Sequence, residues 1–167
     1  MKGICKWAKS EIEMKYHNEE WCRVCHDEKR LFEMLILEGM QAGLNWKCIL
    51  YKRENMRKAF DNFNYKKISK YDSKKMEELL NNKGIIRNRR KLEALIINAN
   101  KFIEVQKEFG SFDKYIWSFT KGKRINNKLK STDNLPARNE LSDLISKDLI
   151  KRGFKFTGSV IIYSYLQ

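Results

Sequence analysis

The chain has 167 residues, of which 42% are hydrophobic, and its 35 Lys and Arg outnumber 21 Asp and Glu to give a formal net charge of +14. This length and apolar content suffice for one domain with its own hydrophobic core. So large a positive charge exceeds what solubility requires and favours a polyanionic partner, nucleic acid first, unless lysine is enriched for reasons of genome composition alone.

The sequence predicts neither a secretory signal nor a membrane span. The N-terminal stretch MKGICKWAKSEIEMKYH lacks the apolar segment of a signal peptide, and no apolar run approaches the ~20 residues that cross a bilayer. We therefore expect a cytoplasmic protein without a membrane partner. Its four cysteines are then expected to be reduced thiols, available for burial or for metal; they are Cys5, Cys22, Cys25 and Cys48.

The distribution of helix breakers predicts an all-α fold in a single domain, residues 1–167. One proline and eight glycines interrupt the chain, and apolar and polar residues nowhere alternate over a sustained stretch. Asp27 is suited to cap a first predicted helix that runs to about Ala42, with Gly43 after its end. A second helix is predicted to follow Asn45.

The middle of the chain contains the clearest helical pattern. Asp72 or Ser73 can cap a third predicted helix that ends in the sequence NNKG, where Gly84 is expected to supply a positive φ. From about residue 89 to 109, apolar side chains recur at helical spacing in front of Gly110. This stripe predicts a long amphipathic helix.

The last part of the chain is predicted to be helical with one long interruption. Residues 111–119 form a short predicted helix, and residues 121–139 are the longest irregular stretch. Residues 140–152 predict another helix, which Gly153 stops, and residues 158–167 are a last apolar segment.

Glu38 is an acid on an apolar helix face. It follows Leu31, Met34 and Leu35 at helical spacing, which places its carboxylate beside their side chains. A buried carboxylate needs hydrogen-bond donors or cations, or it lies at a pocket. Two interpretations stay open: a structural acid paired with a helix N-terminus or with an arginine such as Arg53, or a functional group in a site.

Aromatic residues cluster near this acid in the sequence. Trp46 follows after a turn, and a flat ring beside a buried acid suits a heteroaromatic ligand, although a tryptophan at a helix start is commonly plain core. Four more rings, outside any predicted helix, fall within fifteen residues and suggest a lined cavity; they are Trp7, Tyr16, His17 and Trp21.

Residues 79–96, LLNNKGIIRNRRKLEALI, resemble a helix-hairpin-helix. Freed backbone N–H groups and the nearby cations, Arg87, Arg89, Arg90 and Lys91 among them, would bind a phosphodiester without reading its sequence. Ile86 occupies the place of the usual second glycine of the hairpin, and other helical turns with a basic flank look similar.

Taken together, five segments strongly resemble the DNA-3-methyladenine glycosylase I family: YHNEEW, LFEMLILEGMQAGLNW, GIIRNRRKLEALIINA, FDKYIWSF and LSDLISKDLIKRGFKFTGS. The resemblance covers nearly the whole chain in order. It implies a single helix-hairpin-helix DNA glycosylase domain that flips out and hydrolytically excises N3-methyladenine from double-stranded alkylated DNA. We expect a monofunctional, monomeric enzyme without an organic cofactor. The rival is a non-catalytic binder of damaged or distorted DNA on the same fold.

The resemblance also implies roles for residues. Glu38 would be the catalytic acid that accepts hydrogen bonds from the flipped base, Tyr16 would contact the base from the side and Trp46 would stack on it. Trp7 and Trp21 would complete the aromatic walls.

For DNA binding, the resemblance implies two segments. Gly43 and Leu44 would enter the duplex where the lesion is extruded, with Leu44 filling the gap. The hairpin would contact the phosphates through a second set of residues, which comprises Gly84, Ile85, Arg87 and Arg89.

The family's zinc ligands match this chain only in part. Cys5 and His17 correspond to the N-terminal pair, while the second pair would follow Gln167, so the chain is expected to lack the C-terminal zinc-ligand segment. Structural zinc takes four Cys or His ligands. Zinc is therefore possible in three ways that stay open: through a longer C-terminus, through a substitute site with Cys22 and Cys25, or not at all.

Overall fold

The computed structural model describes residues 5–167, and over that range the chain is helical without a strand. Nine α-helices follow one another in the described chain: α1 Glu11–Glu19, α2 Glu28–Met40, α3 Trp46–Ala59, α4 Tyr65–Ile68, α5 Ser73–Leu80, α6 Arg89–Phe109, α7 Phe112–Ser118, α8 Glu140–Lys151 and α9 Ser159–Leu166. Short 3-10 turns lie at Asp61–Phe63 and Thr132–Asn134. The predicted all-α class is confirmed.

Side-chain caps begin the helices at the predicted positions. The carboxylate of Asp27 accepts from the backbone N–H of Arg30 at 2.8 Å, and the amide oxygen of Asn45 accepts from that of Cys48 at 2.8 Å. Each cap satisfies a donor that the first helical turn leaves free. The predicted long helix, residues 89 to 109, has the observed bounds of α6.

Helix α2 runs through the centre of the molecule. It packs against α6, α7 and α9, so apolar side chains around its whole circumference are buried, Phe32, Leu35 and Leu37 among them. Polar residues toward its C-terminus are thereby carried into the interior. This central position is what buries Glu38.

Two sequence elements that carry the family resemblance meet in space. A Cβ on Gly39, in the segment LEG, would lie 3.2 Å from the Cβ of Phe156, in the segment GFKF. That distance is tighter than ordinary van der Waals contact, so a side chain at position 39 would push the two segments apart by a few tenths of an ångström.

Helix α1 was missed by sequence interpretation, which placed the N-terminal aromatics outside any helix. It holds Tyr16 and His17, and it begins with a capping box in which Ser10 and Glu13 satisfy each other's backbone donors. The spacing Ser-x-x-Glu is a known helix start. Because Tyr16 is the only buried residue of α1, the helix has no apolar stripe to reveal it.

Gly84 does not have the predicted positive φ; the glycines that do are Gly43, Gly110, Gly122 and Gly153. Its backbone N–H donates to Asn82 Oδ1 at 2.9 Å, and its carbonyl accepts from Asn55 Nδ2 at 3.2 Å. A Cβ there would lie 3.0 Å from the Asn55 side chain. The glycine thus leaves room for the Asn55 side chain of α3 and does not adopt a left-handed backbone.

Candidate functional site

Glu38 is buried without a partner. It is only 4% exposed, and among residues 5–167 no side chain or backbone group donates a hydrogen bond to its carboxylate, nor does a cation pair with it. Burial alone raises the pKa of Glu38 from its usual 4.5 to about 8. The carboxyl group is therefore mostly protonated at neutral pH until a ligand supplies donors or positive charge.

The predicted alternative, a structural pair between Glu38 and Arg53, is wrong. Arg53 Nε donates to Glu33 Oε1 at 2.8 Å and Arg53 Nη1 donates to Glu20 Oε1 at 2.8 Å. Burial would raise the pKa of Glu33, but hydrogen bonds from Arg53 and Arg57 lower it overall. The pKa of Glu38 is thus raised and that of Glu33 lowered, although both glutamates are buried on α2. Of the two, Glu38 is the one whose carboxylate has no partner in the described chain and can bind a ligand.

The predicted aromatic residues form one connected group, which includes Tyr16 near Glu38. The rings of Tyr16 and Trp46 lie 5.2 Å apart, edge to face, and those of Trp7 and Trp21 lie 5.3 Å apart in the same manner. Trp7 also faces Tyr16 at 6.2 Å. Burial raises the pKa of the Tyr16 phenol, and the nearby Glu38 carboxylate raises it further.

Together these residues supply ring faces, a phenol and a carboxyl group that could serve a ligand. Trp46 Nε1 is enclosed and has no hydrogen-bond partner in the described chain. A planar heteroaromatic ligand can stack on such rings and donate N–H groups to the carboxylate, and a cationic one gains further from the ring faces. The structure therefore brings together the predicted base-binding residues, which are Tyr16, Trp46, Trp7 and Trp21.

A separate cavity of about 260 Å³ adjoins Tyr16 on another side. Its walls come from the loop at residues 22–25, from α7 and the irregular stretch that follows it, and from the end of α9. Neither Glu38 nor Trp46 lines it. It shares Tyr16 with the acid-and-aromatic group but does not reach Glu38.

Gly43 and Leu44 project from the turn between α2 and α3. Gly43 has φ +75° and nothing within 4 Å of where a Cβ would be, and Leu44 N–H donates to Gln41 O at 2.7 Å to close the turn. Leu44 is 42% exposed although it is apolar. An exposed apolar side chain on a tight turn is suited to insert between stacked bases. We refer to residues 43–44 as the wedge turn.

The predicted hairpin presents two of its four residues to solvent as side chains. Arg87 and Arg89 are exposed, and Arg89 makes a loose ion pair with Glu77 at 3.6 Å. Ile85 is 2% exposed and half-buried Gly84 has no side chain, so both can contact a phosphate only through the backbone.

Lys91, which sequence interpretation grouped with the phosphate-binding cations, is not on this surface. It is 7% exposed, and its ammonium donates to backbone carbonyls of the turn after α2. Its burial depends on α2, about fifty positions earlier in the chain, so the periodicity of α6 alone did not reveal it.

Cys5 and His17 lie side by side, with Sγ and Nε2 3.1 Å apart. His17 Nδ1 is 2.9 Å from Asn18 Oδ1, which favours a proton on Nδ1 and leaves Nε2 free to bind a metal. Within residues 5–167 no group of three or more Cys, His, Asp or Glu could hold a metal ion. The described residues therefore do not assemble the substitute site with Cys22 and Cys25, and two donors alone do not fit a structural zinc site.

Comparison with known proteins gives consistent matches. The family model described as methyladenine glycosylase matches residues 7–167. A DNA-3-methyladenine glycosylase of Haemophilus influenzae is 40% identical over 168 residues, which cover 100% of this chain and 91% of the relative. A crystal structure of 3-methyladenine DNA glycosylase I superimposes with a TM-score of 0.95 at 40% identity, covering 99% of this chain and 91% of the other.

A solved complex adds a ligand. A variant of 3-methyladenine DNA glycosylase I in complex with 3-methyladenine superimposes with a TM-score of 0.92 at 32% identity, covering 95% of this chain and 85% of the other. Separately, none of the helices in residues 5–167 is both long enough and apolar enough to cross a membrane.

Proposed function

The chain belongs to the methyladenine glycosylase family, and on that premise we propose that it is a DNA repair enzyme that excises 3-methyladenine from alkylated DNA. The observation that carries the proposal is the unpartnered, buried Glu38 beside the aromatic group of Tyr16 and Trp46. We further propose double-stranded DNA as the substrate, action as a monomer and a cytoplasmic location.

The chemistry of the lesion explains how so simple a site can work. Methylation at N3 places a positive charge on the adenine of the nucleotide, and the base departs as a neutral molecule when it takes the electron pair of the bond to the sugar. That bond is therefore already labile, and water can complete hydrolysis once the base is held and the sugar is exposed. The enzyme then needs strong binding of the departing base more than a strong general base. Such an enzyme is monofunctional.

The ionisation of Glu38 makes the site selective for the damaged base over normal adenine. With a pKa of about 8 in the empty pocket, ionisation at neutral pH has to be driven by the ligand. The cationic N3-methyladenine base offers positive charge and N–H donors, both of which favour the carboxylate. Neutral adenine offers donors without the charge, so the undamaged base gains less from the same group.

The wedge and the hairpin deliver the lesion to this pocket. Arg87 and Arg89, with the backbone N–H groups around Gly84, bind phosphates and position the duplex. Leu44 then enters the stack where the damaged nucleotide leaves it. The net charge of +14 strengthens the encounter with DNA at low salt.

Release of the free base from duplex DNA treated with a methylating agent tests the proposal. Chromatography of the supernatant should show 3-methyladenine accumulating with time, and abasic sites should appear in the DNA in equal amount. Protein that binds methylated duplex but releases no base over many hours would instead be the non-catalytic binder.

A further inference from the structure

Lys91 joins the phosphate-binding hairpin to the wedge turn. Its backbone N–H donates to Asn88 Oδ1 at 3.1 Å, in the cap that begins α6. Its side chain reaches across to α2, where Nζ donates to Met40 O at 2.7 Å and to Ala42 O at 2.5 Å. The two ends of one residue therefore hold two segments that are far apart in sequence.

The two carbonyl groups lie where α2 ends. The last carbonyls of a helix have no partner within the helix, and the negative end of its dipole attracts a cation. No basic residue lies in the last turn of α2, so the cation comes from α6 instead. Ala42 directly precedes Gly43 and Leu44.

Burial of the Lys91 ammonium is energetically costly. Burial lowers the pKa of Lys91, so the ammonium is held here at the expense of its hydration and is retained by its two hydrogen bonds. Gly43 has a positive φ, and nothing lies within 4 Å of where its Cβ would be. Lys52 and Asn55 of α3 also donate to hairpin carbonyls, but from one to three turns beyond the start of that helix, whereas Lys91 binds the carbonyl of Ala42 next to Gly43 itself.

We propose that Lys91 is a positioning residue for base extrusion, which holds the Gly43–Leu44 turn at a fixed distance from the hairpin. The proposal rests on the proposed function, in which the hairpin binds phosphates and Leu44 enters the duplex. Since both segments contact one DNA molecule, an error of about 1 Å between them would misplace the wedge in the stack.

A double-mutant cycle tests this role. Lys91→Met, Leu44→Ala and the double variant are compared in single-turnover excision of 3-methyladenine from methylated duplex. Lys101→Met is the matched control, because it removes the same charge from the same helix and, within residues 5–167, the Lys101 ammonium pairs with Glu104 alone, at 3.1 Å. Binding of free 3-methyladenine, followed by tryptophan fluorescence, reports on the pocket itself.

Lys91→Met should slow excision by about ten- to 100-fold, since two hydrogen bonds from a charged donor are lost, and should leave the affinity for the free base within about twofold. In the Leu44→Ala background the same change should cost at most about twofold, because the wedge it positions is gone. Lys101→Met should resemble the wild type.

Additive losses in the double variant, no loss with Leu44→Ala alone, or a parallel loss of free-base binding would each overturn the role. If Lys91→Met shows no cooperative unfolding transition, Lys91→Gln, which retains an amide donor, enters the same cycle with the same criteria. If the wild type releases no 3-methyladenine, the proposed function fails and this inference with it. An active wild type with an additive cycle removes the inference alone.

Discussion

Glu38→Gln should make the protein more stable at alkaline pH while it removes the acid that base recognition needs. The side chain is 4% exposed and unpaired in the described chain, and its pKa is about 8 against a usual 4.5. The substitution keeps the shape of the side chain and removes its titration. The stability difference between variant and wild type should therefore depend on pH in a way that follows from this one group.

The sign is set by where the proton is held. Below pH 4.5 the carboxyl group is protonated in both folded and unfolded protein, so no difference arises from titration. Between pH 4.5 and about 8 Glu38 ionises in the unfolded chain but not in the folded chain. The equilibrium constant for unfolding of the wild type therefore rises about tenfold per pH unit. Above pH 8 the loss levels off at ~5 kcal/mol, an upper value for a group with no other relaxation.

Urea unfolding at a series of pH values measures this difference, because other titrating groups cancel between the two proteins. Glu33→Gln is the matched control on the same helix. Its pKa is lowered by Arg53 and Arg57 against the effect of burial, so that variant should be less stable than wild type above pH 4.5, with the deficit shrinking in acid. A stability difference for Glu38→Gln that does not change between pH 5 and 9 would refute the assigned ionisation.

Other variants test the remaining parts of the site. Glutamine in place of the buried acid should reduce excision by about five- to 150-fold, the effect of ~1–3 kcal/mol for a mismatched buried polar contact, and should abolish a rise of kcat/KM toward pH 8; near-normal excision by the folded variant would contradict this. Leu44→Ala should slow excision from duplex by about tenfold while free-base binding stays intact; equal loss of both would make Leu44 core. Replacing Arg87 and Arg89 with alanine should remove about two phosphate contacts and so reduce the slope of log affinity against log salt concentration by about two for undamaged duplex. An unchanged slope would place the contacts elsewhere. Zinc found by elemental analysis should be lost with Cys5→Ser or with alanine at His17, and zinc that survives either change would exclude this pair as ligands.

Helix starts were predictable from sequence because their caps are local. Asp27, Asn45 and Asp72 act within three residues of themselves, so short-range patterns contain all the information. The burial of Glu38 was predictable for the same reason, from its spacing to neighbours on one helix face.

Features that depend on distant contacts were not predictable. The side chain of Arg53 could have paired with any nearby acid, and the packing of α1 and α2 against α3 decides for Glu20 and Glu33. Gly84 serves close approach of Asn55 from another helix, and Lys91 binds carbonyl groups about fifty positions away in the chain. In each case tertiary packing decides among local possibilities that the sequence leaves equal.

Proton release on base binding tests most directly whether Glu38 reads the base. With a pKa of about 8, about nine-tenths of the group is protonated in the empty pocket at pH 7. Calorimetric titration of 3,9-dimethyladeninium, whose N9 methyl group preserves the positive charge that the base carries in DNA, should show close to one proton released per cation bound by the wild type and none by Glu38→Gln, when run in buffers of different ionisation enthalpy. Tight binding by the wild type without proton release, or equal release by both proteins, would contradict the account.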